Sequence, residues 1–408
     1  MLIAVFVGTR LVGAWLADRP ALYRSGPFTL TSDVRRYEGW ATAMVREGRS
    51  PYGDVRIEYP PGSLPFLLAP KAGTGGHAYR PRFVALMLLV DTVGLVGLVV
   101  VARRAGYWWG PWAWTVLVPL LGPIAYLRLD LVPAVATIWA LERVHAGGWM
   151  GAGGWLGFGA AAKVYPGLLL PLVLVGRGRW RQRRRALAAA AGVATVAVLP
   201  FIGSLDGLWD SVVGYHSQRG LQVESTWGAA LLTGTHLDRP VRVVFEHGAF
   251  HVHGPGASTL KTAALGLSFA VLAAGVVIAR MRAASPDELV MAMAGTLALL
   301  LVVGTVFSPQ FMLWLTALVA VGAALVGAAL TLPLILLAVA DVFSQALYPF
   351  HYAGLLTGRA GPLALLVARN AIVALVGALL LARLWRQDRH AVDLRGSPAP
   401  SARADARS

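Results

Sequence analysis

Two carboxylates stand in the polar stretch of residues 31–61, where an acid or a base could act. Asp33 and Glu58 lie in a segment that is too polar to sit in lipid. A carboxylate there can take a proton from a hydroxyl group, so both are candidates for a general base. For Asp33 the alternative is an N-cap, since Thr31-Ser32-Asp33 precedes a helical pattern; from these residues alone, capping is favoured. For Glu58 the alternatives are to hold an arginine or to be a solvated loop residue.

Three further side chains could bind an anion such as a phosphate. Lys163 lies between two apolar half-helices, where a lone ammonium group is costly and usually has a functional partner. Arg219 and His216 lie in a later polar loop, and an arginine offers a planar fork to phosphate oxygens. The alternatives are snorkelling for Lys163 and simple solvation for Arg219 and His216.

Two other groups of polar residues are weaker candidates. Arg128 and Asp130 are close enough in the sequence to pair with one another, and we interpret them as a structural ion pair at a helix turn. His247, His251 and His253 could suggest zinc, but no second group stands at ligand spacing. We therefore predict a polar loop there and no metal site.

The polar stretch has the pattern of a surface helix followed by a turn. Apolar residues recur at helical spacing and charged residues occupy other faces. The apolar positions are Val34, Tyr37, Ala41, Met44 and Val45. Pro51-Tyr52-Gly53 then halts the helix, and Pro60 and Pro61 can begin the next apolar run. This pattern predicts an amphipathic helix on a membrane surface.

The composition indicates a polytopic membrane protein. Of the 408 residues, 57% are hydrophobic and 14% are charged, and the mean hydropathy is +0.62. The net charge is +16, but the arginines cluster in short connections between apolar runs, where they set orientation, so we predict no nucleic-acid partner. The chain has no cysteine, which excludes disulfides, thiolate catalysis and cysteine-ligated metals.

The apolar runs predict an all-α bundle of about 11–12 transmembrane or half-length helices. The runs are residues 2–16, 83–102, 112–127, 131–144, 152–162, 164–175, 186–202, 259–279, 289–307, 311–326, 328–347 and 362–384. Residues 152–162 and 164–175 are each too short to cross about 30 Å of hydrocarbon, so we predict two half-length helices that meet at Lys163. Residues 203–256 are expected to form a long polar loop. We predict one membrane domain over residues 1–385 and a disordered cytoplasmic tail over residues 386–408.

Arginine clusters predict how the bundle is oriented. Residues 177–185 contain six arginines and should be cytoplasmic. If the half-helices return to their own side, every arginine cluster falls on this face. The opposite face then gathers residues 31–61, 128–130, 203–256, 308–310 and 348–352, and Lys163 approaches it from within the membrane. The sequence therefore predicts a multi-pass cell-membrane protein with its site on the external face.

Taken in order, these residues resemble a known family. The chain carries Asp33 and Tyr37, then Pro51-Tyr52, Tyr59-Pro60-Pro61, Lys163-x-Tyr165-Pro166, and Ser308-Pro309-Gln310 at a late external end. The loop from Tyr215-His216 to Glu224-Ser225 adds to the similarity. This order resembles the GT-C fold glycosyltransferases of family 87, which are polyprenyl-phosphate-mannose-dependent mannosyltransferases of actinobacteria. The turn at Arg128-Leu129-Asp130 departs from the pattern, since many relatives carry a Gly-Gln pair there.

The resemblance implies a membrane glycosyltransferase and assigns roles to its residues. It would move a hexose, by resemblance mannose in α linkage, from a polyprenyl-phosphate donor to a cell-envelope glycolipid or glycan acceptor, with inversion at the anomeric carbon. The base would lie on the first external loop, which here means Asp33, with Glu58 as the second catalytic candidate. The donor phosphate would be bound by Lys163, Arg219 and His216. The candidate substrate-binding residues are Tyr37, Tyr59, Glu224, Gln310 and His351.

Two alternatives concern metals and transport. No Asp-x-Asp pair occurs; nucleotide-sugar enzymes often use one to hold a divalent metal on a diphosphate, so we predict a lipid-monophosphate donor and neither a metal nor another cofactor. The main alternative function is a transporter or flippase of a lipid-linked sugar, which also places ionisable residues in a helix bundle. Transporters tend to show discontinuous helices in matching halves. Here the half-helix pair occurs once and the large polar loops lie on one side, which favours the enzyme.

Overall fold

The computed structural model describes residues 1–25, 28–29, 32–72, 78–176, 180–237 and 240–396. Thr31, Arg177 and Arg179 lie outside these ranges, as do residues 397–408 of the predicted tail. The described residues contain eighteen α-helices and five short strands, which confirms the predicted α-helical fold class. The helices are α1 Leu2–Ala17, α2 Ser32–Val45, α3 Leu64–Leu68, α4 Tyr79–Ala105, α5 Trp109–Leu120, α6 Leu131–His145, α7 Trp149–Ala162, α8 Tyr165–Val175, α9 Trp180–Val198, α10 Leu205–Trp209, α11 Tyr215–Gln218, α12 Thr226–Leu232, α13 Ala257–Arg282, α14 Pro286–Val303, α15 Met312–Val326, α16 Thr331–Gln345, α17 Tyr352–Leu356 and α18 Ala360–Gly396. The strands are β1 Arg24–Ser25, β2 Phe28–Thr29, β3 Leu221–Gln222, β4 Arg242–Glu246 and β5 Ala249–His253.

Long apolar helices are the main feature of the bundle. Within the described ranges, six helical stretches are long and apolar enough to cross a membrane, judged by length and composition, and α1 and α8 are shorter apolar helices. The six are Tyr79–Ala105, Trp180–Gln218, Ala257–Arg282, Pro286–Val303, Pro309–Leu356 and Ala360–Trp385. The protein is therefore a multi-pass membrane protein. Helix α18 continues to Gly396, past the predicted domain boundary at residue 385.

Helix α15 lies at the centre of the bundle. Residues 312–324 are all buried, and the helix contacts α4, α5, α6 and α14. A helix that is apolar all round belongs in such a surrounded position. Helices α9 and α13 lie at the periphery, where they are apolar but largely exposed, and Phe269 in α13 is 73% exposed. In a membrane these outer surfaces contact lipid tails.

A buried ion pair explains the arginine inside the first apolar run. Nε of Arg10 in α1 lies 2.8 Å from Oδ2 of Asp91 in α4. The same guanidinium donates hydrogen bonds to the backbone carbonyls of Trp114 and Thr115 in α5. The Trp114 indole also donates to Asp91, at 2.6 Å. These contacts satisfy both charges, which would otherwise be costly in hydrocarbon.

Glycines allow α7 to pack closely on α9. A Cβ added at Gly153 would lie 1.9 Å from the carbonyl oxygen of Ala186, and one at Gly157 would lie 2.8 Å from the backbone of Ala190. Small residues four positions apart permit such close approach between membrane helices. Helix α7 ends just before Lys163, whose backbone is extended (φ −161°, ψ 130°), and α8 begins two residues later. The predicted pair of half-length helices is confirmed, with Lys163 at the junction.

The prediction of a long polar loop over residues 203–256 is wrong, because this segment is folded. It contains α10, α11, α12 and an antiparallel sheet with strand order β3-β5-β4. The β4–β5 hairpin pairs Phe245 with Phe250 and turns through His247 and Gly248, both of which have positive φ angles. A small apolar cluster, separate from the main core, packs the sheet against α12, α17 and α18.

The arginine-rich helix ends lie at one end of the bundle. Helix α4 ends with Arg103 and Arg104, and Arg104 pairs with Glu142 near the end of α6. Arg282, at the end of α13, lies 4.0 Å from the centroid of the Trp385 ring in α18. Short connections make consecutive helices antiparallel. The turns that carry the predicted site residues therefore collect at the other end.

Candidate active site

A cavity of about 410 Å³ lies at the end of the bundle away from the arginine-rich ends. Its wall is formed by the start of α2, the turn before α6, the junction of α7 and α8, the β4–β5 turn, and the segment before α15. Eight residues of the predicted site line it, namely Asp33, Glu58, Tyr59, Lys163, His216, Arg219, Glu224 and Gln310. The fold thus brings together residues that are far apart in the sequence.

Asp33 lies in the first turn of α2 with its carboxylate at the cavity wall. The helix begins at Ser32, so Asp33 is inside the first turn and not at the cap position. Val34 and Tyr37 are buried and attach α2 to the bundle. Oδ2 of Asp33 lies 2.9 Å from Nε of Arg128, and 16% of the Asp33 side chain is exposed. The carboxylate therefore engages a cation from a distant part of the chain.

The predicted ion pair between Arg128 and Asp130 is wrong. Arg128 pairs with Asp33, and Oδ1 of Asp130 accepts a hydrogen bond from Nζ of Lys163 at 2.8 Å. Side chains two positions apart at the start of a helix do not face each other, so each finds a partner elsewhere. The short turn before α6 therefore connects to two elements, α2 through Arg128 and the α7–α8 junction through Asp130.

Three aromatic rings and one carboxylate surround the ammonium group of Lys163. Nζ lies 5.2 Å from the ring centroids of Tyr59 and Phe311 and 5.3 Å from that of Trp314. These distances fall within the range of cation–π attraction. With Asp130 bound at 2.8 Å, the side chain of Lys163 is only 15% exposed. The ammonium group is thus held at the cavity wall.

Glu58 forms an ion pair with an arginine, which is one of the alternatives that the sequence left open for this residue. Oε1 lies 3.3 Å from Nη1 of Arg36 in α2. The Tyr215 side chain also lies near the Glu58 carboxylate. The Glu58 backbone carbonyl lies 3.2 Å from Nε2 of His216. Glu58 therefore connects α2 with the folded segment that follows α9.

Two residues predicted to bind substrate are not part of the described cavity wall. Tyr37 is fully buried beneath it, and its hydroxyl lies 3.0 Å from the Tyr59 hydroxyl. The Tyr52 hydroxyl donates to the Tyr59 carbonyl at 2.8 Å, so both tyrosines support Tyr59. His351 is exposed outside the wall, with Nδ1 2.9 Å from the carbonyl oxygen of Ala346. Neither Tyr37 nor His351, both predicted to bind substrate, lines the cavity.

Glu224 is a buried carboxylate in the cavity wall. Its Oε2 accepts a hydrogen bond of 2.8 Å from Nε2 of Gln222. That nitrogen also donates to the hydroxyl of Ser308 at 2.8 Å. Burial raises the pKa of Glu224 to about 7, although Arg369 and Arg128 act to lower it. This corner of the cavity therefore presents a carboxylate, an amide and a hydroxyl, the groups that bind sugar hydroxyls.

The histidines of the β4–β5 hairpin lie close together, with the ring centroids of His247 and His251 6.4 Å apart and Nδ1 of His251 3.6 Å from Oε1 of Glu246. His247 lines the cavity and His251 is buried behind it. His253 is partly exposed and its Nε2 lies 2.9 Å from Oε1 of Glu246. Burial, with the positive charge of Arg219 nearby, lowers the pKa of His251 to about 4. Among the described residues there is no group of three or more His, Cys, Asp or Glu side chains placed to hold a metal ion.

Comparison with known proteins decides the family. Residues 58–309 match the sequence profile of Glycosyltransferase family 87. The protein belongs to glycosyltransferase family 87. This family-87 protein is accordingly a membrane glycosyltransferase, and the transporter alternative is set aside. No curated protein sequence matches the chain significantly.

Among solved structures, the family-87 protein is similar to ArnT from Cupriavidus metallidurans. The structure of ArnT bound to undecaprenyl phosphate is 16% identical, with a TM-score of 0.48, and the match covers 96% of this chain and 79% of ArnT. The apo structure of ArnT is also 16% identical, with a TM-score of 0.47, and the match covers 98% and 81% of the two chains.

The cavity of the family-87 protein contains residues that the sequence did not single out. Gln222, Ser308, Tyr348 and Tyr352 all line it. Ser308 had a usable signal, since it begins the Ser308-Pro309-Gln310 motif. The two tyrosines lie within residues 348–352, which were predicted to reach this face. Gln222 lies within the loop from Tyr215 to Ser225 that carries part of the resemblance, but only the fold shows that β3 reaches the cavity.

Proposed function

We propose that this protein transfers a hexose from a polyprenyl phosphate to a glycolipid or glycan acceptor of the cell envelope. The observation that carries the proposal is the composition of one cavity, in which the carboxylate of Asp33 shares the wall with the cations of Lys163 and Arg219. Glycosyl transfer from a lipid phosphate needs both kinds of group, a base for the acceptor and cations for the leaving phosphate.

The reaction is a single displacement at the anomeric carbon. Asp33 accepts the proton of the acceptor hydroxyl, whose oxygen forms the new bond to that carbon as the bond to the phosphate oxygen breaks. The electron pair stays on the phosphate, where Lys163 and Arg219 stabilise the added charge, with His216 beside them. Attack from the face opposite the phosphate inverts the anomeric configuration.

Other wall residues bind the sugar or keep the site in shape. Glu224 and Gln310 offer hydrogen-bonding groups for sugar hydroxyls, and the Tyr59 ring can stack on a sugar face. Glu58 is the second carboxylate, and because Arg36 holds it at 3.3 Å, its role is to support the site beside Asp33. Tyr37 acts through Tyr59, to which it is hydrogen-bonded.

The location and the sugar follow from two different arguments. Arginine-rich helix ends face the cytoplasm in membrane proteins, so the cavity at the other end opens on the external side. There it can receive a lipid-linked donor and an envelope acceptor. Mannose is proposed as the sugar because the chain resembles mannosyltransferases of family 87.

A transfer assay tests this function. Purified protein is incubated with polyprenyl-phosphate-[14C]mannose and a lipid extract from the source organism, and products are separated by chromatography. Label should move from the donor to a slower-migrating lipid or glycan, and it should not move with Asp33→Asn. Donors carrying other hexoses or pentoses run in parallel identify the sugar. If no donor of the panel yields a labelled product, the proposed donor class is wrong.

A further inference from the structure

Two ion pairs involve the turn before α6, Asp33 with Arg128 and Asp130 with Lys163, and their carboxylates differ in exposure. The Asp33 side chain, which pairs with Arg128, is 16% exposed and lines the cavity. The Asp130 side chain, which pairs with Lys163, is 0% exposed and lies behind the wall. Asp33 can exchange its partner for water. Asp130 cannot, because it would become a buried and unpaired charge.

Arg128 requires an anionic partner, whether that partner is Asp33 or a bound ligand. Its side chain is only 6% exposed, so the guanidinium is costly without a counterion. It also lines the same cavity as Lys163 and Arg219. The planar fork of a guanidinium fits phosphate oxygens as well as it fits a carboxylate. A phosphate that enters this cavity can therefore take the place of Asp33.

Lys163 is arranged to bind the same anion without losing its partner. One of its three N–H groups donates to Asp130 at 2.8 Å, and the rings of Tyr59, Phe311 and Trp314 stand around the ammonium group. Asp130 is too deeply buried to follow a ligand into the cavity. It therefore acts as a fixed anchor for Lys163.

We propose that Arg128 is a ligand of the donor phosphate, which displaces Asp33 from it, and that Asp130 is a positioning residue that directs Lys163 to the same phosphate. This inference rests on the proposed function, since the phosphate is taken to be that of the polyprenyl donor. Displacement frees the Asp33 carboxylate to accept the proton of the acceptor hydroxyl. Arrival of the donor therefore prepares the base, and the donor binds before the acceptor.

The exchange predicts opposite effects for the two carboxylates. Asp33→Asn removes the competitor of the phosphate for Arg128, so polyprenyl phosphate should bind about tenfold more tightly, within the usual range of coupling between two ligands. Asp130→Asn releases Lys163 from its anchor, so binding should weaken by about tenfold. Both are measured by equilibrium binding of 32P-labelled undecaprenyl phosphate to purified protein in detergent. Thermal unfolding of each variant shows whether the fold is kept.

Two controls separate exchange from a general change of charge. Glu58→Gln removes another carboxylate of the same wall, held by Arg36, and should tighten binding much less than Asp33→Asn does. In the Arg128→Gln background, Asp33→Asn should have no further effect, because the pair is already broken. The double variant leaves no unpaired charge at this position, so it provides a folded protein even if Arg128→Gln alone is unstable.

The possible outcomes are distinct. Tighter binding by Asp33→Asn together with weaker binding by Asp130→Asn supports the proposal. If Asp33→Asn binds no more tightly than wild type, or if Glu58→Gln tightens binding equally, the exchange at Arg128 is refuted while the glycosyltransferase proposal stands. If Asp130→Asn binds as well as wild type, the anchoring role is refuted. If the wild-type protein does not bind undecaprenyl phosphate at all, the proposed function fails together with the inference.

Discussion

At the scale of single residues, Asp33 is the position where a structural and a chemical role can be separated most clearly. Asp33→Asn keeps the size of the side chain and most of its hydrogen bonding, but an amide cannot accept a proton from the acceptor. A missing base costs about 10²- to 10⁴-fold in rate. Transfer of labelled sugar should therefore nearly vanish. The protein should still be expressed and folded, with a lower melting temperature because Arg128 loses its counterion. Retention of more than about a tenth of wild-type turnover would exclude Asp33 as the base and turn attention to Glu58.

Glu224 should make the stability of the protein depend on pH. Its pKa is about 7 in the folded chain, compared with an ordinary value of 4.5, because the carboxylate is buried. Between these values the folded state holds a proton that the unfolded state has lost, so stability falls as pH rises through this window. Glu224→Gln stays neutral throughout. The variant should therefore gain stability relative to wild type between pH 5 and pH 8, by at most about 3 kcal/mol.

Thermal unfolding of wild type and Glu224→Gln in detergent, at several pH values, measures this difference. A gap between the two melting temperatures that widens as pH rises is the expected result. A gap that stays constant across the range would mean that Glu224 is ionised alike in both states.

Sequence patterns identified the charged residues but not their partners. Asp33 and Lys163 stood out because of where they lie, one in a polar stretch and the other between apolar helices. Their partners could not be identified in this way, since Arg128 and Asp130 lie two positions apart in the sequence and were interpreted as a pair with each other. The pairing depends on how α2 and the α7–α8 junction approach the turn before α6. That approach is a property of the tertiary packing and leaves no local pattern.

At the scale of elements, the contact between α7 and α9 can be tested with a matched pair of substitutions. Gly153→Ala would place a methyl group 1.9 Å from the carbonyl oxygen of Ala186, whereas a Cβ at Gly154 would meet nothing within 4 Å. The first change must push α9 away, at a cost of about 1–3 kcal/mol. The melting temperature of Gly153→Ala should therefore fall by several degrees. Gly154→Ala should melt close to wild type.

Because α7 ends just before Lys163, the same displacement should reach the cavity. Gly153→Ala is expected to weaken binding of undecaprenyl phosphate as well as to lower the melting temperature. If Gly153→Ala and Gly154→Ala behaved alike in both measurements, the two helices would not be in such close contact.

The elements differ in how far they could be predicted from sequence. The long apolar helices and the half-length pair were predictable because lipid allows few alternatives to a helix. The folded segment over residues 203–256 was not, although residues 242–253 carry two short strands around His247-Gly248. A short hairpin is marginal on its own and forms here by packing on α12, α17 and α18. Six of the twelve residues 242–253 are apolar, but the apolar residues on which the hairpin packs are distant in the sequence.

At the scale of the whole molecule, the distribution of arginines predicts an orientation in the membrane that can be measured. The chain has no cysteine, so single cysteines can be placed at will. A cysteine at Ser50 should react with an impermeant maleimide in intact cells, and one at Gln182 should react only after the membrane is opened. The reverse pattern of labelling would place the cavity on the cytoplasmic side and contradict the proposed external donor and acceptor.

The buried pair of Arg10 and Asp91 bears on how the protein is made. Among the described residues, Arg10 contacts Thr9 and Phe6 within α1, but its carboxylate and backbone carbonyl partners lie in α4 and α5, which emerge from the ribosome long after α1. Until then its guanidinium would face lipid, which is unfavourable. We infer that α1 stays beside the translocation channel during synthesis and enters the bilayer together with α4 and α5. Nascent chains that stop before Asp91 should therefore release α1 upon alkaline extraction, whereas chains that extend beyond Thr115 should retain it; retention in the shorter chains would show that α1 inserts alone.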